Sequence, residues 1–474
     1  MVRQGLPLVG LIALGLPVTA TGGEPVREHK LRYRVAPAPA TLAEFYALGK
    51  MGLQERARPE DVKHPEYESD NPVFVQVPVP GSDRVRWAVL DTVASGAETE
   101  TDGDSEPGPS LGLYSSVWMG DISEQAPIPD RLYFDSDGDN DLTDERPLGG
   151  RPVVSDSDAT VPRYMVFPAT AIGAVLEGKR LPYHIRIAAP RRYPMRLLRS
   201  FSGAIEVPAY AVSSCYYEGR IRLGGRAVRV AVLDANSDGR FDARGYLPEG
   251  GAYPTRGDTL IVSERAGRPI RPYKAGADER QMLGRYLAFG GEYYQIQVAP
   301  GGTPVGVYAE KAKVGVIAAS QADADVRLAN ADGVLDLRVD TEGVRVPAGS
   351  YHMLSCALRR TDGDDREWAL ACRPASSEAT TVEVTAGATA PIPAGPPLLW
   401  SLAVDTEQRV AVGGTVAPGG EGTAPAVGLS LRLAAQGGMR VTGITVNGKR
   451  PSEPKLRIKD ATGKVVHEAA FHYG

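Results

Sequence analysis

The sequence predicts a mainly β, multidomain fold, and three observations support this prediction. Short runs of Val, Ile, Leu, Tyr and Thr recur along the chain, each bounded by turn residues. The chain contains 54 glycines and 38 prolines among 474 residues, an excess over the roughly 12% of average proteins. A chain of this length exceeds what one hydrophobic core accommodates, and so we expect roughly two to four domains.

The order of these runs predicts five segments. Strand-like runs at about ten-residue spacing begin near residue 313, which is typical of an immunoglobulin-like β-sandwich. The proline-rich stretch 391–397 is the natural boundary inside this half. The segments are a signal peptide at 1–20, an irregular N-terminal segment at 21–70 with a short helix at 42–53, a β-rich region with two acidic loops at 71–310, a β-sandwich module at 311–396, and a C-terminal β-sandwich-like module at 397–474.

The first 20 residues predict export. Arg3 is the only charge before Glu24, residues 6–18 are apolar, and small residues at 18–20 favour cleavage after Ala20. A membrane span needs roughly 20 apolar residues, so this run is too short for an anchor, and no later segment is long enough. We therefore expect a periplasmic, cell-surface or extracellular protein without a membrane span after cleavage. The net charge of −5 argues against a nucleic-acid partner.

An acidic loop occurs twice, each time after a strand-like apolar run. The first loop covers residues 135–145 and the second covers 234–242. Both place oxygen-bearing side chains at the first, third and fifth positions and an apolar residue at the eighth, Leu142 or Phe241. The sixth position holds Asn140 or Gly239, which tolerate a left-handed backbone. This weak internal repeat predicts two related β-units.

The spacing of these oxygens is typical of a loop that wraps a hard cation, most often calcium. The alternative is a turn in which each side chain caps its own backbone without a metal. The same alternative is favoured for the hairpin tip at 362–365, which lacks the alternation. The candidate ligands are Asp135, Asp137, Asp139, Asp141, Asp144 and Glu145 in the first loop, and Asp234, Asn236, Asp238, the backbone carbonyl of Arg240 and Asp242 in the second.

The two loops resemble the calcium loops of the EF-hand superfamily and of dockerins, over about twelve residues each. That resemblance implies two calcium sites. The bidentate acid of the family would fall on Arg146 and Gly245, which cannot serve, and strand-like runs replace the flanking helices. A sensor that opens paired helices is therefore not expected. We expect structural calcium sites, each adding roughly 1.4 kcal/mol at tenfold saturation.

The chain as a whole also resembles exported β-rich proteins of environmental bacteria. The stretches that carry this resemblance are 131–145, 346–351, 394–398 and 471–474. It implies export but no activity.

Two of the three cysteines are predicted to face each other. Residues 351–360 and 367–373 read as a hairpin whose turn centres on Asp364, which places Cys356 opposite Cys372. Leu354 and Leu358 would share the face of Cys356. An exported protein favours a disulfide here, and the alternative is two buried thiols.

The sequence predicts a structural or binding role at the cell envelope, with calcium and an envelope glycan or surface protein as partners. No His-Glu-x-x-His, nucleophile elbow, P-loop or dinucleotide motif occurs. The alternative is a secreted hydrolase of polysaccharide or peptide, since a glycosidase needs only two carboxylates placed in space. Glu206, Glu218 and Glu292 are examples of carboxylates for that role.

Overall fold

The computed structural model describes residues 27–41, 44–45, 51–92, 128–155, 158–190, 209–251, 253–264, 269–276, 279–320, 323–375, 381–392, 398–405, 409–411, 423–425 and 428–470. The predicted signal peptide, Glu206 and most of the proline-rich boundary lie outside these residues. No helix in the described part of the chain has the length and apolar character that crossing a lipid bilayer requires.

The protein is built almost entirely of antiparallel β-sheets, as the sequence predicts. In its first part the strands are β1 Arg27–His29, β2 Arg32–Val35, β3 Met51–Leu53, β4 Glu55–Arg56, β5 Val73–Pro78, β6 Val85–Asp91, β7 Arg131–Phe134, β8 Leu148–Gly149, β9 Arg151–Ser155, β10 Asp158–Val166, β11 Thr170–Ala171, β12 Ala174–Leu176, β13 Lys179–Leu181, β14 His184–Pro190, β15 Ala209–Ser213, β16 Cys215–Leu223, β17 Arg226–Leu233, β18 Thr259–Ser263, β19 Arg280–Met282, β20 Tyr286–Phe289, β21 Glu292–Val298 and β22 Val305–Lys311.

The strands of the second part are β23 Val314–Ala318, β24 Asp323–Asn330, β25 Gly333–Val339, β26 Val344–Pro347, β27 Gly349–Thr361, β28 Glu367–Pro374, β29 Thr381–Val384, β30 Thr389–Pro391, β31 Leu399–Asp405, β32 Arg409–Ala411, β33 Thr423–Pro425, β34 Gly428–Ala435, β35 Met439–Val446, β36 Lys455–Lys459 and β37 Val465–Ala470. Single 3-10 turns lie at Pro272–Lys274 and Gln436–Gly438.

Two five-stranded sheets carry the acidic loops. One has the order β4-β5-β6-β7-β8 and the other β19-β18-β17-β16-β2. Alternate residues of both sheets, such as Val75, Leu132, Val230 and Leu260, are buried in one shared core. The sheets β3-β15-β14-β10-β9 and β1-β22-β21-β20 close the same core.

The N-terminal segment is more regular than the sequence predicts. Helical backbone is described at Glu44 and Phe45, where Thr41 Oγ1 accepts a hydrogen bond from the Glu44 N–H and Glu44 Oε2 accepts one from the Ala40 N–H. The prediction of helix as far as residue 53 is wrong, because β3 pairs with β15 over Met51–Leu53. Leu53 is 2% exposed, so burial in the core outweighs the local helix preference.

In the second part, two sheets pack on each other, and β32-β33 and β36-β37 form two further two-stranded sheets. The three-stranded sheet β26-β23-β30 contributes Ile317 and Val346 to a core that also contains Val326 and Met353 from the larger sheet. This arrangement is a β-sandwich in the general sense. The larger sheet runs β25-β24-β27-β28-β35-β34-β31. Because β28 pairs with β35, strands from both sides of the module boundary that the sequence suggested at residues 396 and 397 belong to one sheet.

The cysteine hairpin has the predicted register, with Cys356 directly opposite Cys372. Both side chains are buried, and burial raises the pKa of the Cys356 thiol to about 12 and that of the Cys372 thiol to about 11. The disulfide stays a prediction. The expectation that Leu354 shares their face is wrong, because a β-bulge beside Arg327 shifts the alternation there. Leu354 instead packs near Leu247 on the other side of the sheet.

Candidate metal sites

Each acidic loop follows a strand of one of the two five-stranded sheets. The first joins β7 to β8 and the second joins β17 to β18, in each case neighbouring antiparallel strands. Each loop therefore begins where a buried strand ends, which fixes its first aspartate at the edge of the core. The two related β-units that the internal repeat predicts stay a prediction.

Both loops also have the same backbone pattern. Residues four and six of each loop have positive φ: Gly138 82° and Asn140 64° in the first, Ser237 61° and Gly239 81° in the second. The sequence predicted the left-handed residue at position six. It missed the one at position four, where the second loop has Ser237, a residue type that rarely adopts this conformation. The turn aims N–H groups inward: Gly138 donates to Asp135 Oδ1 (2.6 Å) and Gly239 to Asp234 Oδ2 (2.7 Å).

The eighth residue of each loop fixes it to the body of the protein. Leu142 is fully buried and Phe241 is 2% exposed. The Leu142 N–H donates to the Lys63 carbonyl (3.0 Å), and the Phe241 N–H donates to the Pro300 carbonyl (2.9 Å). Each loop is thus held by both an apolar side chain and a backbone hydrogen bond to a distant segment.

The first loop brings three carboxylates together. One oxygen each of Asp135, Asp137 and Asp139 lies within 4.8 Å of the others. Asp135 is fully buried, and its Oδ2 has no hydrogen-bond partner among the described residues. Burial raises the pKa of Asp135, although the Gly138 N–H and Arg86 act in the opposite direction. A buried acceptor without a partner is costly, and a cation would satisfy it.

The other acids of the first loop face different partners. Asp141 Oδ2 accepts from Lys63 Nζ (2.5 Å) and its Oδ1 from the Thr143 N–H (3.0 Å), which together hold its pKa at about 2. Glu145 Oε1 accepts from the N–H and the hydroxyl of Ser136. Asp144 is solvent-facing, and its pKa is raised by partial desolvation and by the nearby Asp139 carboxylate. None of these three belongs to the carboxylate cluster.

A buried arginine lies under the first loop. Arg86 of β6 is 7% exposed, and its Nη1 is 3.9 Å from Asp135 Oδ1. A Cβ atom on Gly138 would lie 0.9 Å from that Nη1. Residue 138 is therefore glycine both for its positive φ and because the guanidinium fills the space of a side chain.

In the second loop, the first three predicted ligands accept hydrogen bonds from neutral donors. Asp234 is fully buried, and its Oδ2 accepts from the Tyr183 hydroxyl (2.6 Å) as well as from Gly239. Asn236 Nδ2 donates to Asp238 Oδ2 (2.9 Å). Burial raises the pKa of Asp234 to about 7. The predicted ligands Asp234, Asn236 and Asp238 are thus neighbours.

The remaining two predicted positions of the second loop form an ion pair. Asp242 accepts from Arg240 Nε (3.0 Å) and Nη2 (2.9 Å), so its carboxylate faces that side chain. The Arg240 N–H donates to Asp238 Oδ1 (2.8 Å). That bond, like the Asp139 and Asp141 N–H bonds of the first loop, is the backbone capping of the metal-free alternative. A carboxylate has a second oxygen, so capping leaves room for a cation as well.

One buried acid beside the second loop was not identified from the sequence. Asp258, just before β18, is fully buried; its Oδ1 accepts from the Ala235 N–H (3.1 Å) and its Oδ2 from the Ala243 N–H (2.9 Å). It therefore ties the two ends of the loop together. Burial, followed by repulsion from Asp234 and Asp238, raises its pKa to about 9. No spacing rule points to Asp258, because it lies beyond the twelve-residue loop.

Replacing Asp258 by asparagine is expected to weaken calcium binding at the second loop about tenfold, because an asparagine cannot ionise beside a bound cation as a carboxyl can, and because one of two backbone contacts is lost. Without calcium, the free energy of unfolding should fall by only about 1 kcal/mol. Calorimetric calcium titration and urea unfolding measure the two effects.

The matched control for this change is Asp91→Asn. Asp91 is 1% exposed and accepts three backbone N–H groups, from Glu68, Ser69 and Thr92. The substitution Asp91→Asn should lower the free energy of unfolding without changing the calcium affinity of the second loop. Unchanged calcium affinity in Asp258→Asn would contradict the role of Asp258.

The described carboxylates named for the hydrolase alternative, and two more that line a cleft, are held in ion pairs. Glu218 is buried against Arg229 (2.6 Å), and Glu292 pairs with Arg345 (3.3 Å) and Lys311 (3.7 Å). A cleft of about 150 Å³ between β19–β21 and β25 contains Asp332 and Asp336. Both of these are paired with arginine, Asp332 with Arg285 (3.2 Å) and Asp336 with Arg327 (3.0 Å).

A search of protein-family profiles, of curated proteins and of solved structures finds no match to this chain.

Proposed function

We propose that this protein is an exported calcium-binding protein with a structural or binding role at the cell envelope or outside the cell. The observation that carries the proposal is the buried Asp135 Oδ2, which lacks a hydrogen-bond partner among the described residues and belongs to a cluster of three carboxylates. An envelope glycan or a surface protein is the proposed partner.

Calcium is the cation that suits this donor set. Both loops offer carboxylate, amide and backbone oxygens and contain neither histidine nor cysteine, which excludes the usual zinc ligands. Calcium accepts irregular arrangements of six to eight oxygens, whereas magnesium demands a near-ideal octahedron and keeps its waters. A loop whose acids are partly engaged by their own backbone therefore fits calcium better.

Bound calcium would act on the shared core. Each loop joins two strands whose apolar residues enter that core, so an ion in the loop restrains both strand ends. It would also neutralise the clustered carboxylates. At tenfold saturation two ions would add roughly 3 kcal/mol, a sizeable part of a typical free energy of unfolding.

The test is a calcium titration of the chelated protein. We expect heat of binding and a rise in melting temperature of several degrees, with a much smaller effect of magnesium at equal concentration. Absence of both heat and stabilisation would refute the proposal.

A pair of variants makes the titration specific to the first loop. Asp139→Asn should remove the first-loop contribution. Asp340→Asn is the control, because Asp340 is also exposed and caps the N–H groups of Glu342 and Gly343 without an acidic cluster. Sequencing the N-terminus of the secreted protein tests export, with Thr21 as the expected first residue.

A further inference from the structure

The first aspartates of the two loops have partners of different charge. Asp135 of the first loop lies beside the Arg86 guanidinium at 3.9 Å, whereas Asp234 of the second receives the neutral Tyr183 hydroxyl at 2.6 Å. Among the described residues, no ion pair involves Asp234. The same loop position therefore has a resident cation in one site and a neutral donor in the other.

Arg86 cannot easily leave its place. It lies on β6, which is paired on both sides, with Arg86 itself opposite Val77 of β5. Its side chain is 9% exposed, and Nη1 fills the space beside Gly138. Its Nε is buried without a hydrogen-bond partner among the described residues. The guanidinium is thus held under the loop by packing, and its charge acts on the carboxylates at short range.

Each loop also has an outer cation bound to one of its acids, Lys63 Nζ on Asp141 Oδ2 at 2.5 Å in the first and Arg240 Nη2 on Asp242 Oδ2 at 2.9 Å in the second. The interior groups differ: the first loop has the buried Arg86, and the second has a further buried acid, Asp258. A cation near a carboxylate cluster repels an incoming calcium ion, and the repulsion is strong where solvent is excluded.

We propose that Arg86 is a resident counter-cation that sets the calcium affinity of the first loop below that of the second. The inference rests on the proposed calcium binding. In the calcium-free protein Arg86 stabilises the clustered carboxylates, and on binding it competes with the ion. The two sites then fill in sequence, the second loop first and the first loop at higher calcium.

The test is Arg86→Gln, with Arg84→Gln as the control. Arg84 precedes β6 on the same hairpin, is exposed, and loses the same charge. In Arg86→Gln we expect the weaker calorimetric step to tighten about tenfold and the calcium-free melting temperature to fall. Both quantities should stay at wild-type values in Arg84→Gln. Asp139→Asn identifies the first-loop step, since it should abolish that step alone.

Lys63→Gln provides a variant that leaves the interior intact, because Lys63 is three-quarters exposed. It should tighten the same step by a smaller factor, about twofold, since water screens its charge. First-loop affinity that is unchanged or weaker in both Arg86→Gln and Lys63→Gln would overturn the inference while leaving calcium binding intact. Binding to Arg86→Gln but not to the wild-type first loop at millimolar calcium would support the inference and refute the proposed function for that loop. No binding by either protein would overturn both.

Discussion

Replacing Phe241 by alanine is expected to destabilise the protein by about 3–5 kcal/mol. The side chain is 2% exposed, and its ring packs edge-on against Tyr217 at 4.9 Å and against Tyr183 at 6.4 Å between centroids. Tyr183 also donates to Asp234, so the cavity would lie directly under the second loop. We therefore expect calcium binding at that loop to weaken as well. Urea unfolding and calorimetry measure the two effects.

Phe167→Ala is the control that separates the loss of stability from the loss of calcium affinity. Phe167 is fully buried in the same core but lies outside both acidic loops. It should cost a similar amount of stability in the calcium-free protein and leave calcium affinity unchanged. A loss below about 1 kcal/mol in Phe241→Ala would show that the site collapses around the smaller side chain, contrary to the packing argument.

Replacing Glu218 by alanine is expected to lower the free energy of unfolding by about 3 kcal/mol. Glu218 is 5% exposed in the middle of β16, where Oε1 accepts from Arg229 Nη1 (2.6 Å) and from the Ile270 N–H (2.9 Å). Its other oxygen lies 3.8 Å from Arg34 Nε. The substitution leaves the buried Ile270 N–H without this acceptor and removes the counter-charge of Arg229.

Glu292→Ala is the matched control for Glu218. Glu292 also pairs with two cations, Arg345 and Lys311, but its side chain is 32% exposed. Water compensates the loss there, so the cost should stay at or below about 1 kcal/mol. Equal costs in the two variants would contradict the argument from burial.

Predictions from the sequence succeeded where the signal is local. Alternating apolar runs gave the β class, and the hairpin around Asp364 gave the pairing of Cys356 with Cys372. They failed where a distant partner decides the outcome. Met51–Leu53 is a strand because β15 offers an edge, and Leu354 changes face because a bulge beside Arg327 interrupts the alternation. A bulge adds one residue, and sequence periodicity alone does not locate it.

The acidic loops show the same division. Oxygen side chains at alternate positions, a left-handed residue at position six and an apolar residue at position eight lie within eight residues, so the sequence alone determined the two loops. Arg86 is 49 residues before Asp135, and Asp258 is 24 residues after Asp234. Only the pairing of strands brings these two side chains to the loops. The charge near an incoming ion depends on such long-range contacts. The strength of an electrostatic interaction depends on the distance between the charges and on their burial, and the spacing of residues in the sequence predicts neither of these.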